Sequence, residues 1–385
     1  MRSTRSLRGE AAIVGIAEAA SPTGELPARG RTLEAQVIKA ALDDAGLTLA
    51  DVDGVAHADS SLDLAEFLSI APAFTESTYT GGSGYELYVE KAAAAIATGL
   101  AETIVIVYAA TPRSDRKQGL GGWVEPAGPR DEFEVPYGLG LMGSYALAAD
   151  RHMSQYGTTE EQLASIAVAT RQWAGFNPMA RFTDPLTVDD VLASPRICSP
   201  LHQLDCCLVT DGAGAIVVTS TERAKDLRNP VVPVLGAASL HSHNMIHAMP
   251  DLTVTPGAIT GKRALDHAGV TAGDVGLLMG YDSFTITALL HLEDLGFVPK
   301  GEAGAFVADG NTRPGGSLPM NTNGGGLSYT HPGMYGIFLL TEAVRQLRGA
   351  AGARQIQDLE IAVAHGSGQF LSAMSTVVLG TEAAL

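Results

Sequence analysis

Three segments of the chain carry side chains suited to moving protons. The first is NTNGGGLSYTHPGMYG at 321–336. Gly324, Gly325 and Gly326 allow close backbone approach and positive φ, and they lead into Tyr329, His331, Pro332 and the opening of a helix at Gly333–Gly336. A histidine fixed by the next proline at a helix start sets a ring N–H beside backbone donors, which suits a developing oxyanion or enolate. The second segment is YDSF at 281–284, which closes the apolar run VGLLMG and opens a helix ending near Leu295. Polar groups at the end of a central strand point into a cleft in α/β folds. Tyr281 supplies a phenol there, and Asp282 either orients it or caps the helix. The third is His365 in AVAHGSGQF, read as following a buried strand and preceding Gly366 and Gly368. Each has a plainer reading: a glycine turn with a satisfied histidine, a simple N-cap, and a turn residue.

Other candidates carry less. GGSG at 81–84 precedes an Ala-rich helix, but Ser83 is no nucleophile elbow because Tyr85 stands where the second glycine would be. The same turn lacks the third glycine of a dinucleotide fingerprint, so no NAD or FAD is expected. His241, His243 and His247 lie in SLHSHNMIHAM without a carboxylate pattern, so no metal is assigned. Cys206 and Cys207 are adjacent, too close to clamp a metal, and read as buried inert thiols.

The elements that must position these groups are legible as a duplication. ALDDAGLTLADV at 41–52 matches ALDHAGVTAGDV at 264–275 at eight of twelve positions. Each copy is a helix ending in glycine, then a Thr and an Asp, then an apolar run. Upstream, AAIVGIAEA at 11–19 parallels VVPVLGAAS at 231–239. Downstream, each half offers a Gly-rich turn, a buried helix and an apolar strand: GGSGYELYVEKAAAAIATGL then ETIVIVYAA, and GMYGIFLLTEAVRQLRG then LEIAVAHGSG. Apolar strands separated by helices imply stacked α/β layers, with halves at 1–230 and 231–385. An insertion at about 111–200 reads as a lid or a structural cap, with a helix at 158–174 opened by a Thr158–Glu161 capping box.

Composition narrows the function classes. The 385 residues are 46% hydrophobic and 17% charged, so a large core is expected and long disorder is not. Twenty-five basic against 42 acidic residues give a net charge of −17, the wrong sign for a nucleic-acid binder. Three cysteines and no run of 18 apolar residues predict a cytoplasmic chain without a membrane span.

Taken together, the repeat, the turn before the buried helix, YDSF, GGG…HPG, DGAGAIVV and HGSG resemble the thiolase superfamily over nearly the whole chain. The order is similar to the sterol-carrier/lipid-transfer type. The resemblance implies a duplicated five-layer α/β/α/β/α thiolase fold. Thiolases carry a nucleophilic cysteine where Gly81 stands, a His or Asn where Tyr281 stands, and a final cysteine near His365. Of the usual set His331 remains, with Pro332 and Gly333. Acyl transfer through a thioester to the enzyme needs that missing thiolate.

The pattern YDSF…LEDLGF…KGEAGAFVADG…GGSLPMNTNGGGLSYTHPGMYG resembles instead the thiolase-fold aldolases that cleave steroid side chains. That implies retro-aldol cleavage of a β-hydroxyacyl-CoA, with no resident cofactor, beside a small OB-fold, zinc-ribbon partner and in a homodimer. Tyr281 and Tyr329 are then expected to share the proton transfers and His331 or backbone N–H groups to stabilise the enolate, with Asp282 and His365 in support. Gly81, Gly82 and Ser83 would leave a widened substrate pocket. An acyltransferase and a non-catalytic acyl-CoA-binding subunit are the alternatives.

Overall fold

The computed structural model describes residues 7–115 and 130–385. Its strands, in chain order, are β1 (Ala11–Ala19), β2 (Gly54–Ala56), β3 (Phe74–Glu76), β4 (Thr103–Ala110), β5 (Arg196–Cys198), β6 (Leu201–His202), β7 (Gly212–Ser220), β8 (Val234–His241), β9 (Leu277–Gly280), β10 (Ile361–Gly368) and β11 (Ala373–Gly380). They form one sheet ordered β1-β7-β4-β2-β3, a second ordered β8-β11-β10-β9, and a small β5-β6 ribbon. The two large sheets repeat one topology. β1 matches β8, β7 matches β11, β4 matches β10 and β2 matches β9. In each sheet the first two pairings are antiparallel and the third is parallel.

The sequence repeat marks the same structural joint twice. The helix Gly30–Ala45 ends at Gly46 with φ 75°, and its counterpart Gly257–Ala268 ends at Gly269 with φ 68°, each in the left-handed region that favours glycine. A one-turn helix follows each, closed by Thr48 with Asp51 and by Thr271 with Asp274. The docking is repeated too. A Cβ on Gly15 of β1 would strike the carbonyl oxygen of Ala41, and one on Gly236 of β8 that of Ala264, the first residues of the two repeats.

Alternation along the strands sorts side chains into layers. Ile104 and Ile106 of β4, with Ala362 and Ala364 of β10, face inward onto two central helices, Gly84–Ala97 and Gly336–Leu347. Val105 and Val107 face outward onto the Gly30–Ala45 helix. Val363 faces outward onto a core shared with the Gly257–Ala268 and Thr285–Asp294 helices. Five layers result. Both central helices are mostly buried, and the polar groups they carry inside, Glu86 on one and Thr341, Glu342 and Gln346 on the other, are buried with them.

The insertion contributes helices Leu141–Tyr156, Glu160–Ala174 and Val188–Ala193, which extend the outer core of the second sheet. Residues 116–129 of the expected lid lie outside the described residues. The expected cap is displaced by one residue. Thr159 and Gln162 form the capping box of the Glu160–Ala174 helix, and the Thr158 hydroxyl instead bonds His152 Nδ1 at 2.8 Å. That histidine is buried against Glu293, its Nε2 3.0 Å from the carboxylate, and pins the insertion to the second half.

Candidate active site

The starts of the two central helices meet between the sheets. A Cβ on Gly336 would sit almost on the carbonyl oxygen of Gly82, so the Gly81–Ser83 turn and the HPGMYG segment touch. Tyr281 leaves the end of β9 and enters this junction. Its backbone N–H donates to the His365 carbonyl at 3.0 Å, which fixes the direction of the side chain. Its phenol oxygen accepts the Tyr335 N–H at 3.1 Å and lies 3.0 Å from His331 Nε2. Gly333 O, at 3.4 Å, is a second acceptor for the phenol proton. The rings of Tyr281 and His331 stand edge to face, with centroids 5.7 Å apart.

Both groups are held neutral. Burial raises the Tyr281 phenol well above its usual range, against the Tyr335 N–H that favours the anion. Burial lowers the His331 imidazole to about 4, so it carries no charge at neutral pH. His331 Nδ1 is buried and has no hydrogen-bond partner among the described residues. The pair is thus a proton acceptor and a proton donor in contact, with one ring nitrogen uncommitted.

The segment carrying His331 is locked from several sides. Tyr108, at the end of β4, donates its O–H to Pro332 O at 2.7 Å and accepts the Met334 N–H at 3.2 Å. The His331 N–H donates to the Thr210 hydroxyl at 2.8 Å. Upstream, the Gly325–Tyr329 stretch makes a single π turn around Asp282, whose carboxylate accepts the Gly326 N–H at 2.7 Å and the Leu327 N–H at 3.4 Å. A Cβ on Gly325, where φ is 60°, would strike the same carboxylate, which explains the run of glycines. Burial pushes the Asp282 carboxyl up to about 7, with the two N–H donors opposing.

Sequence and fold comparisons bear on this geometry. A family model described as "Thiolase C-terminal domain-like" matches residues 238–381. The chain is 37% identical to a "Steroid side-chain-cleaving aldolase" of Thermomonospora curvata, over 94% of this chain and 96% of that one. It is 38% identical to a "17-hydroxy-3-oxo-4-pregnene-20-carboxyl-CoA lyase" of Mycobacterium tuberculosis, over 90% and 93%. The chain belongs to the thiolase-fold aldolases. A solved structure of an "Ltp2-ChsH2(DUF35) aldolase" superposes with a TM-score of 0.88 at 33% identity, covering 98% of this chain and 99% of that one.

Within that family the site departs from the sequence expectations in four places. Tyr329 does not join the pair: its phenol faces Glu18, Arg345 and Glu342, and its ring packs on Phe338 with centroids 6.1 Å apart. Tyr329 and His331 are only two residues apart, but the π turn sends their side chains in different directions. Asp282 is not a helix cap, since Phe284 holds the N-cap position of the Thr285–Asp294 helix without a side-chain bond. His365 lies inside β10 and not after it. Its ring faces the outer layer, with Nδ1 2.8 Å from the Thr376 hydroxyl and the ring 4.4 Å from that of His291. Burial drops His365 to about 3. The space expected beside Gly82 is not pocket: a Cβ there would lie 2.5 Å from Tyr281 Cζ, so the absent side chain makes room for that ring. Ser83 is fully buried and donates to Thr80 O at 3.0 Å, a structural bond.

Gly81, the position where the resemblance sets a nucleophile, carries no side chain. Its φ is 66°, and a side chain there would point at the backbone of Gly368 and Gln369 in the final loop. Cys207 is the thiol that interacts electrostatically with Tyr281 and Asp282, and its backbone N–H donates to Ser283 O at 2.9 Å. Burial raises that thiol well above its ordinary range, and Cys206 to about 12, so neither is a thiolate. Tyr145, from the insertion, also reaches the site and donates to Gln369 O at 3.1 Å. Tyr108 and Tyr145 were not singled out by sequence, and Cys207 was read there only as a buried inert thiol. The one legible signal was a polar-tipped Tyr108 closing the otherwise apolar strand TIVIVYAA. Among the described residues no cluster suited to a metal ion occurs, and no helix is long and apolar enough to cross a membrane.

Proposed function

We propose that the protein cleaves a β-hydroxyacyl-CoA thioester with a steroid side chain by a retro-aldol reaction, releasing a ketone and a short acyl-CoA. The observation that carries this reading is the Tyr281–His331 pair, 3.0 Å apart, standing where the nucleophile turn has only glycine. The relatives named as aldolase and lyase at 37–38% identity support the reaction class and the steroid substrate.

The reaction needs a base for the β-hydroxyl proton, an acid for Cα, and stabilisation of the enolate between those steps. Tyr281 meets the substrate hydroxyl and takes its proton while passing its own to His331 Nε2. This relay spares the buried phenol from ionising. The C–O bond becomes the ketone as the Cα–Cβ bond breaks, and its electron pair moves into the thioester as an enolate. The N-terminal ends of both central helices converge here, and their positive dipole ends favour that negative charge. Protonation of Cα from the imidazolium, directly or back through the phenol, gives the acyl-CoA and restores the pair. No bond to the protein forms at any step.

A DUF35-type OB-fold, zinc-ribbon protein is the proposed partner, a reading supported by the 33%-identical Ltp2-ChsH2(DUF35) aldolase. The test measures kcat/KM with the partner present. Tyr281→Phe removes the phenol and is expected to cost about 10²–10⁴-fold, the usual range for a lost acid–base group. Tyr329→Phe is expected to leave turnover within about threefold of wild type, because its phenol points elsewhere. Near-wild-type turnover in Tyr281→Phe, or a turnover-dependent acyl adduct on any side chain, refutes the reading. Acyl transfer is the weaker alternative, since the Cys207 thiol is held protonated by burial.

A further inference from the structure

Glu86 is a buried carboxyl that the proposed reaction does not use. It sits in the first turn of the Gly84–Ala97 helix, fully buried, and neither oxygen has a hydrogen-bond partner among the described residues. Its carboxyl is wedged between two glycines. A Cβ on Gly336 would lie 2.5 Å from Glu86 Oε2, and one on Gly366 would lie 2.7 Å from its Cδ. Those glycines directly follow the residues that hold Tyr281. Tyr335 N–H donates to the Tyr281 phenol, and His365 O accepts the Tyr281 N–H. One carboxyl therefore spaces the two backbone segments that aim the proposed proton-transfer group.

We propose that Glu86 is a positioning residue that works as the neutral carboxylic acid, and that its ionisation misaligns Tyr281 and switches activity off on the alkaline side. This rests on the Tyr281 reading given above.

Among the described residues no neighbouring charge compensates the anion. Of the elements packed on this helix, β7 and β11 carry no titratable side chain. Glu18 of β1 and Glu342 of the Gly336–Leu347 helix are both paired with Arg345, and Arg354 adds to Glu342. Glu76 of β3 accepts the Ser77 and Thr78 N–H groups. Tyr108 of β4 bonds Pro332 O, His365 of β10 bonds Thr376, and His241 lies exposed at the end of β8. Tyr335 donates to Asn323. Tyr85 and Tyr88, on the same helix, donate to Met334 Sδ and Thr78 O. Burial accordingly raises the Glu86 carboxyl to about 8. An anion between two glycine Cα atoms would draw in water and part the segments it now spaces.

The experiment is a pH profile of kcat and KM from pH 6 to 10 for the enzyme with its partner, as wild type, Glu86→Gln and Glu86→Met. Wild type is expected to lose about tenfold or more in kcat above a midpoint near 8, with KM little changed, as misorientation predicts. Both neutral variants are expected to lack that limb. Glu86→Gln should also stay within about threefold of wild type at pH 7. A carboxylic C=O band in infrared difference spectra, absent from Glu86→Gln and lost on alkaline titration, reports the protonation without reference to activity. A limb that persists unchanged in both variants overturns the proposal, as does a band already absent at pH 7. Tyr281→Phe runs alongside. If that variant stays active while the Glu86 band titrates near pH 8, the functional reading has failed and the carboxyl assignment has not.

Discussion

Gly82→Ala places one carbon where the Tyr281 ring now lies. The new Cβ would be 2.5 Å from Tyr281 Cζ, closer still to Cε2, and 2.6 Å from the carbonyl oxygen of Ser367. Carbon atoms pack at about 3.5–4.0 Å, so the ring must recede by about 1 Å or more. The carbonyl belongs to the backbone of β10 and cannot swing aside. The ring's own anchor is its phenol, held between Tyr335 N–H and His331 Nε2 at 3.1 and 3.0 Å. A 1 Å retreat breaks at least one of those bonds. Overpacking of this kind costs about 1–3 kcal/mol in stability. A misplacement of about 1 Å at a reacting group costs on the order of 10² in kcat/KM. Steady-state cleavage of the CoA thioester measures the second quantity, and urea denaturation the first. Gly84→Ala is the control two residues on, because its Cβ would make ordinary contact at 3.5 Å from the Thr80 hydroxyl. Adding Tyr281→Ala to Gly82→Ala should relieve the clash with the ring, leaving that with the Ser367 carbonyl, and give a favourable coupling of about 0.5–3 kcal/mol in stability. A folded Gly82→Ala enzyme with wild-type kcat/KM, or no coupling in the double variant, would refute the steric account of this turn.

Two further outcomes follow from buried titratable groups. Asp282→Asn leaves one acceptor oxygen and an amide NH₂ for two backbone N–H groups, so it should cost about 1–3 kcal/mol in stability and lower kcat as His331 shifts; unchanged melting and turnover would contradict its role in the turn. His365 is buried neutral, its folded pKa lowered to about 3 from an ordinary 6.5. It therefore contributes stability that is full above pH 6.5 and is lost progressively as the pH falls from 6.5 to 3. His365→Asn should flatten the fall in unfolding free energy between pH 6.5 and 4.5 by about 1.4 kcal/mol per pH unit, one proton's worth. Parallel slopes in urea melts at pH 4.5, 5.5 and 6.5 would show that His365 does not titrate on unfolding.

Much of the architecture was written in local signals. Gly46 and Gly269 end their helices because only glycine enters the left-handed region freely, and the repeat around them announced two halves of one topology. The buried strands and the two glycine-led, mostly apolar central helices were equally plain, since burial on both faces leaves long apolar runs. Tyr281 and His331 were legible as candidates because unusual residue types close a strand and follow a glycine run.

Which candidates meet was decided only by the tertiary structure. Tyr281 and His331 are 50 positions apart and touch because β9 and the HPGMYG segment are brought together between the sheets. Tyr329 lies two residues from His331 yet faces Glu18 and Arg345, because a π turn around Asp282 redirects the chain. The sequence places His365 after a strand, but it lies inside β10, where period-two alternation turns it to the outer layer, and a strand's facing depends on its register against β9 and β11. Glu86 is, by sequence, one more first-turn acidic residue of a helix. Its burial between Gly336 and Gly366 is a contact between halves about 250 residues apart, which no local pattern encodes.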